Sequence, residues 1–186
     1  SGWLAYSTFD HDWVKQQIET TSVNTVLEKN WPGLHIEPLQ APENMEVLIG
    51  WTGSPASSPH LVSEVKRLKS DPAFYGEFLD HSHQCVEYLI HAFKTNNIKG
   101  VQKMIRQNRA IIRKMDDQAS VDIETDKLKS LCDIAEKHGG AAKTSGAGGG
   151  DCGITIIHQN VNKQKIYDEW VENDIKPLQF KIYHGQ

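Results

Sequence analysis

A glycine-rich run lies between two strand-like segments, and it constrains the fold more than any other feature of the sequence. Four of the five residues from Gly146 to Gly150 are glycine. Glycine loses more backbone freedom on folding than any other residue, so such a run costs stability unless the backbone closely approaches another group. The flanks, Ala141–Ser145 and Cys152–His158, argue against a flexible linker, and a plain hairpin needs only about two glycines. The run therefore predicts a strand–loop–strand unit whose loop approaches another group.

Phosphate is the group that this loop suits best, because successive N–H groups of a glycine loop form an anion-binding nest. The candidate phosphate-binding residues are Ser145, Gly146, Ala147, Gly148 and Gly149, with Lys143 as a nearby positive charge. The segment matches neither the P-loop pattern nor a dinucleotide-binding loop that opens a helix. Asp151 either closes the turn or contacts a magnesium ion, and the turn is the favoured interpretation.

The remaining pattern predicts an α+β fold. The predicted strands are Gly2–Ser7, Met45–Trp51, Cys152–His158 and Leu178–His184, and the predicted longer helices are Asp71–Thr95, Ile98–Met115, Asp126–His138 and Asn162–Asn173. A short helix is expected to start at Asp10 as N-cap. Strands and helices are too segregated for a doubly wound parallel sheet, so we expect an antiparallel sheet covered on one face by helices. A proline-rich connector at 30–44 predicts two parts, residues 1–44 and 45–186.

A second loop of small residues follows the strand that ends at Trp51. It contains Ser54 and Ser57, and a helix is expected to begin near Pro59. These serines either contact a second anion at the helix N-terminus or serve as ordinary caps, and the sequence leaves both interpretations open. Arg106, Arg109 and Arg113 share one face of a predicted helix, which we interpret as a solvated face.

Charge and cysteine content exclude several classes of protein. The net charge is −4, from 20 basic and 24 acidic residues, and no polybasic block is present. Nucleic acid and anionic membranes are therefore not expected as partners. No apolar run reaches the roughly 20 residues that span a bilayer. The three cysteines form no C-x-x-C pair, which fits a reducing compartment such as the cytoplasm.

The run K-T-S-G-A-G-G-G-D-C-G at 143–153 resembles the third conserved motif of the GHMP kinases. Gly2–Ser7 and Gly50–Ser57 resemble the branch of this family that acts on phosphomevalonate, and the resemblance covers essentially the whole chain. It implies the ferredoxin-like C-terminal domain of a two-lobed kinase. It also implies that Ser145, Gly146, Ala147 and Gly148 lie against the reacting phosphates in the cleft between the lobes.

The resemblance implies transfer of the γ-phosphate of ATP to 5-phosphomevalonate in isoprenoid precursor synthesis, with ATP and Mg²⁺ as cofactors. The family's ATP loop, P-x-x-x-G-L-x-S-S-A, and its cleft aspartate are absent from this sequence, so no catalytic residue is assigned. We expect the chain to be inactive without an N-terminal lobe, and we expect dimers through the exposed inter-lobe face. The alternatives are another GHMP kinase or a stand-alone regulatory module that binds a small anion without catalysis.

Overall fold

The computed structural model describes residues 2–55, 61, 63, 68–146 and 148–182. The chain divides into a small unit, Ser1–Gln40 with Lys181–Gln186, and a large unit, Ala41–Phe180. Every strand pairing is antiparallel, and three long helices follow one another between Pro72 and Lys137 with no strand among them, which confirms the predicted α+β class. None of the described helices combines the length and the apolar composition needed to cross a bilayer.

The small unit is a two-stranded sheet with helices between its strands. Its elements are β1 (Trp3–Ser7), α1 (His11–Thr20), α2 (Val23–Leu27) and β2 (His35–Leu39). Helix α1 starts at the predicted cap, where the Asp10 carboxylate accepts the N–H of Trp13 at 2.9 Å. Helix α2 has no predicted counterpart; it is short, and Ser22 caps it by accepting the N–H of Thr25 at 3.3 Å.

The large unit is built on a four-stranded sheet in the order β4–β5–β3–β6. Its elements are β3 (Met45–Trp51), a 3-10 turn (Leu68–Ser70), α3 (Pro72–Lys94), α4 (Ile98–Ala119), α5 (Asp126–Lys137), β4 (Ala141–Thr144), β5 (Cys152–His158), α6 (Lys163–Glu172) and β6 (Lys176–Leu178). Strand β3 lies inside the sheet, as its nearly continuous apolar character predicts. It pairs with β5 over its whole length, from Met45 opposite His158 to Trp51 opposite Cys152.

One predicted strand differs from the structure, and one predicted helix begins outside the described residues. The predicted strand Leu178–His184 is wrong: β6 covers Lys176–Leu178, and residues 179–182 are not in a strand. Apolar alternation alone does not make a strand, and β6 pairs with β3 only from Leu178 back to Lys176. The start of the helix expected near Pro59 lies outside the described residues, and Leu61 and Ser63 beyond it are helical.

The core of the large unit lies between the sheet and two helices, α5 and α6. Its fully or nearly fully buried residues are Leu48, Leu131, Cys132, Ala135, Ala142, Ile157, Ile166, Trp170 and Ile175. The Trp170 indole N–H donates to the Leu131 carbonyl at 3.0 Å, so this large side chain is buried without leaving its polar atom unpaired. The contact joins α6 to α5.

Candidate functional site

The candidate site is the loop of residues 145–151 between β4 and β5, called the glycine loop below. The Ser145 N–H donates to the Cys152 carbonyl at 2.8 Å, which extends the β4–β5 ladder by one residue. The chain then turns through positive φ angles, 70° at Gly146 and 77° at Gly148. Glycine reaches these angles at little steric cost. Ala147, another predicted phosphate-binding residue, lies outside the described residues.

One end of the loop, residues 148–150, packs against other parts of the protein. The Gly149 N–H donates to the Ile123 carbonyl at 2.7 Å. A Cβ atom on Gly148 would lie 2.5 Å from both the carbonyl oxygen and the Cγ2 atom of Ile123. A Cβ atom on Gly149 would lie 2.6 Å from Cδ1 of Leu61. Glycine is therefore required here by close contact with protein, without any ligand.

The serine loop after β3 also contacts this end of the glycine loop. The Asp151 N–H donates to the Ser54 carbonyl at 2.7 Å, and the Thr52 N–H donates to the Asp151 carbonyl at 2.8 Å. Asp151 has a φ of 55°, as expected of a turn residue. The structure thus brings predicted site residue Ser54 next to the glycine loop through its backbone, while Ser57 lies outside the described residues.

The other end of the loop, Ser145 and Gly146, is open. Gly146 is exposed, and a Cβ atom built on it would meet no atom within 4 Å. Within the described part of the chain, neither the Gly146 N–H nor the Ser145 hydroxyl makes a hydrogen bond. An exposed glycine whose N–H is unused, next to a serine whose hydroxyl is unused, offers two donors that could bind an anion.

Two lysines bring positive charge to the strands beside the loop. The ammonium of Lys143, on β4, donates to the Thr144 carbonyl at 2.7 Å, and burial lowers the pKa of Lys143. No carboxylate of the described residues forms an ion pair with it. Lys127 of α5, which the sequence analysis did not single out, places its ammonium 3.4 Å from the Thr52 carbonyl, 75 residues away in sequence. Only the fold reveals that contact.

Asp151 and Cys152, the residues after the glycines, have side chains that lie close to each other. The Cys152 thiol lies 3.6 Å from an Asp151 carboxylate oxygen, and burial, followed by the Asp151 charge, raises the pKa of Cys152. The thiol therefore stays protonated at neutral pH. Among the residues that the structure describes, no three His, Cys, Asp or Glu side chains are grouped so that they could hold a metal ion.

The solvated-face interpretation of the arginines is wrong for Arg109. Its side chain is 7% exposed, and its Nε atom donates to the two Glu124 carboxylate oxygens at 3.0 and 3.1 Å. It also donates to Asp133 at 2.7 Å. Burial opposes the charge, but the hydrogen bonds from Arg109 to Glu124 and Asp133 outweigh it and raise the arginine's pKa. Arg109 thereby joins α4, the segment before α5, and α5 itself.

Comparison with known proteins gives consistent similarities. Residues 89–176 match the family described as GHMP kinases C terminal. The chain is 34% identical over 180 residues to a phosphomevalonate kinase of Streptomyces sp. (strain CL190), covering 95% of this chain and 48% of that protein. The chain thus spans about half the length of this relative.

Solved structures show the same relation. A Lin0012 protein from Listeria innocua is 38% identical with a TM-score of 0.89, covering 99% of this chain and 53% of that one. A Streptococcus pneumoniae phosphomevalonate kinase, in complex with phosphomevalonate and AMPPNP, is 27% identical with a TM-score of 0.82, covering 96% of this chain and 51% of that one. The fold of the present chain therefore corresponds to about half of each.

Proposed function

We propose that this chain, which matches the GHMP kinase C-terminal family over residues 89–176, forms the C-terminal half of a phosphomevalonate kinase. The whole enzyme transfers the γ-phosphate of ATP to 5-phosphomevalonate, giving ADP and 5-diphosphomevalonate. The pneumococcal relative in complex with phosphomevalonate and AMPPNP supports this choice of substrates. Residues 1–44 then belong to the end of the N-terminal lobe and its connector, and 45–186 form the C-terminal domain in a cytoplasmic enzyme.

The open end of the glycine loop is the observation that carries the proposal. Within the described residues the Ser145 hydroxyl and the N–H of the exposed Gly146 have no hydrogen-bond partner, and both residues belong to the segment that resembles the family's third motif. In phosphoryl transfer the protein mainly positions the phosphates and stabilises their charge. Fixed N–H and O–H donors do this with little reorganisation during the reaction.

The loop residues divide into two roles under this proposal. Ser145 and Gly146, with Ala147, contact the reacting phosphates. Gly149 has its N–H already bonded to Ile123, so it supports the loop instead. Lys143 adds positive charge from the strand that leads into the loop. Ser54 stabilises the packed end of the loop, because its carbonyl accepts the Asp151 N–H.

No catalytic base or metal ligand is assigned to this chain. Among the described residues Asp151 belongs to no group of three His, Cys, Asp or Glu side chains, and we assign it no metal-dependent step. The ATP loop of the family, P-x-x-x-G-L-x-S-S-A, is not found in the sequence. We propose that an N-terminal lobe supplies these groups, and that without it the exposed inter-lobe face favours dimers.

A small-anion-binding module without catalysis is the second candidate, because it requires only the unused donors at the open end of the glycine loop. Such a module would use the same open donors of Ser145 and Gly146 to bind an anion. It would hold phosphate or pyrophosphate equally well with or without ATP.

The two candidates are separated by expressing the complete reading frame and measuring ADP release with 5-phosphomevalonate or mevalonate as the acceptor. The 186-residue chain is assayed in parallel. We expect ADP release from the complete protein only with 5-phosphomevalonate, and none from the chain alone. Preference for mevalonate would assign another member of the family. No ADP release from the complete protein, together with pyrophosphate binding, would establish the binding module.

A further inference from the structure

The segment between α4 and α5 contacts the packed end of the glycine loop. Ile123 lies in this segment, and its carbonyl accepts the Gly149 N–H while its side chain covers Gly148. Ile123 is itself 3% exposed. Any shift of its backbone would therefore be transmitted to Gly148 and Gly149, two residues beyond the open end.

Asp116 holds this segment in place. One carboxylate oxygen of Asp116 accepts the Ile123 N–H at 2.9 Å, and the other accepts the Glu124 N–H at 3.0 Å. A charged acceptor makes these bonds stronger than neutral ones. The Glu124 side chain is fixed in turn by its buried ion pair with Arg109. Backbone and side chain of this segment are thus anchored by two different residues of α4.

The place of Asp116 in the helix is unfavourable by itself. It lies in the last turn of α4, where the helix dipole disfavours a negative charge. Asp117, the next residue, has the same disadvantage, but it is exposed and makes no side-chain hydrogen bond or ion pair within the described part of the chain. Both aspartates therefore place a negative charge at the unfavourable end of the helix dipole. Only Asp116 forms hydrogen bonds with the segment between α4 and α5.

We propose that Asp116 is a positioning residue of the phosphate site. Its carboxylate fixes the Ile123 backbone, Ile123 fixes Gly148 and Gly149, and this presets the donors of Ser145 and Gly146 for phosphate. The inference rests on the proposed function for its catalytic consequence, whereas the contact chain from Asp116 to the loop stands on its own geometry.

The test compares Asp116→Asn with the matched control Asp117→Asn in the protein expressed from the complete reading frame. Both variants remove one negative charge from the same helix turn. Only Asp116→Asn replaces an acceptor oxygen by an amide donor that faces a backbone N–H. Amide hydrogen exchange is followed by mass spectrometry in a peptide covering 145–151, with a peptide covering β5 as the reference for global stability. Steady-state kinetics are corrected for the folded fraction.

In Asp116→Asn we expect exchange in the 145–151 peptide to quicken about tenfold, the effect of losing a bond to a charged acceptor. Exchange in β5 should be unchanged. The kcat should fall about tenfold with Asp116→Asn, and Asp117→Asn should leave both readouts within about twofold of wild type.

Unchanged loop exchange in Asp116→Asn overturns the contact chain, whatever the kinase activity. Faster loop exchange with unchanged kcat overturns the positioning role. If the wild-type protein shows no kinase activity but loop exchange quickens as expected, the proposed function fails and the catalytic role fails with it. The contact chain then remains supported.

Discussion

The two ends of the glycine loop have similar composition and different surroundings. Gly148 and Gly149 press against Ile123 and Leu61 at distances that leave no room for a Cβ atom. Gly146 has a similar positive φ, yet nothing lies within 4 Å of the place where its Cβ atom would be. The N–H of Gly149 is bonded to protein, whereas that of Gly146 has no partner in the described residues.

This difference teaches that a glycine run can have two causes within five residues. At the packed end, glycine allows the loop to approach its own protein. At the open end, only a bound group or a turn requirement explains it. The number of glycines in the run does not distinguish these two causes. It therefore suggests a ligand at the packed end, where contact with the protein already explains the glycines.

Replacing Gly148 by Ala tests the packed end and should have the largest effect on stability. The new Cβ atom would meet the Ile123 carbonyl at 2.5 Å while the backbone has a φ of 77°. We expect the free energy of unfolding to fall by about 3 kcal/mol, from strain and overpacking together. Urea unfolding measures it. A loss of less than about 1 kcal/mol would show that Ile123 yields easily and that the packed end is not tight.

Replacing Gly146 by Ala tests the open end at the same kind of backbone angle. With no clash, only the positive φ counts, so the free energy of unfolding should fall by about 1 kcal/mol. In the complete protein, kcat/KM for ATP should fall about tenfold, because a methyl group and a shifted N–H disturb the phosphate contacts. Full activity in a variant with the expected stability loss would remove Gly146 from the site.

Replacing Ser145 by Ala should lower the kinase activity of the complete protein and leave its stability almost unchanged. The hydroxyl has no hydrogen-bond partner within the described part of the chain. The free energy of unfolding should therefore change by less than about 0.5 kcal/mol. The kcat/KM of the complete protein should fall about tenfold, as expected when a bond to a charged phosphate is lost. Equal kinetics of variant and wild type would contradict a phosphate contact.

Replacing Lys143 by Met should give the smallest effect, and its sign depends on pH. Burial lowers the pKa of Lys143 from 10.5, so the unfolded chain binds more protons between the lowered pKa and 10.5. Wild-type stability should therefore rise with pH through that window. The variant should be the more stable protein at pH 7, and its advantage should shrink as pH approaches 10.5.

Urea unfolding at several pH values checks this prediction, with exposed Lys165→Met as the matched control. The control shows how the loss of one exposed positive charge changes the free energy of unfolding at each pH. If Lys143→Met is less stable than wild type at pH 7, the bond from the ammonium to the Thr144 carbonyl outweighs the burial of its charge.

Local chemistry made much of the fold predictable. Asp10 caps α1 where the sequence predicts, and β3 and β5 have the predicted bounds. Caps and apolar runs act within a few residues, so the sequence displays them directly. The last strand was misplaced because its extent depends on pairing with β3.

Long-range contacts explain the other failures. Arg109 was interpreted as solvated because Glu124, its partner, lies 15 residues away in a connection of no distinctive pattern. The same connection carries Ile123, which restrains the glycine loop from outside its own hairpin. Neither contact has a periodic signal that a sequence reader can recognise.

The sequence by itself determined the fold class, the position of the loop between two strands and the family resemblance, because these depend on local propensity and motif. Only the tertiary structure decided which glycines the protein itself needs, which donors stay unused and which aspartate holds the loop. These properties depend on distances between residues far apart in the chain, such as Asp151 to Ser54, and such distances exist only after the sheet and helices have packed.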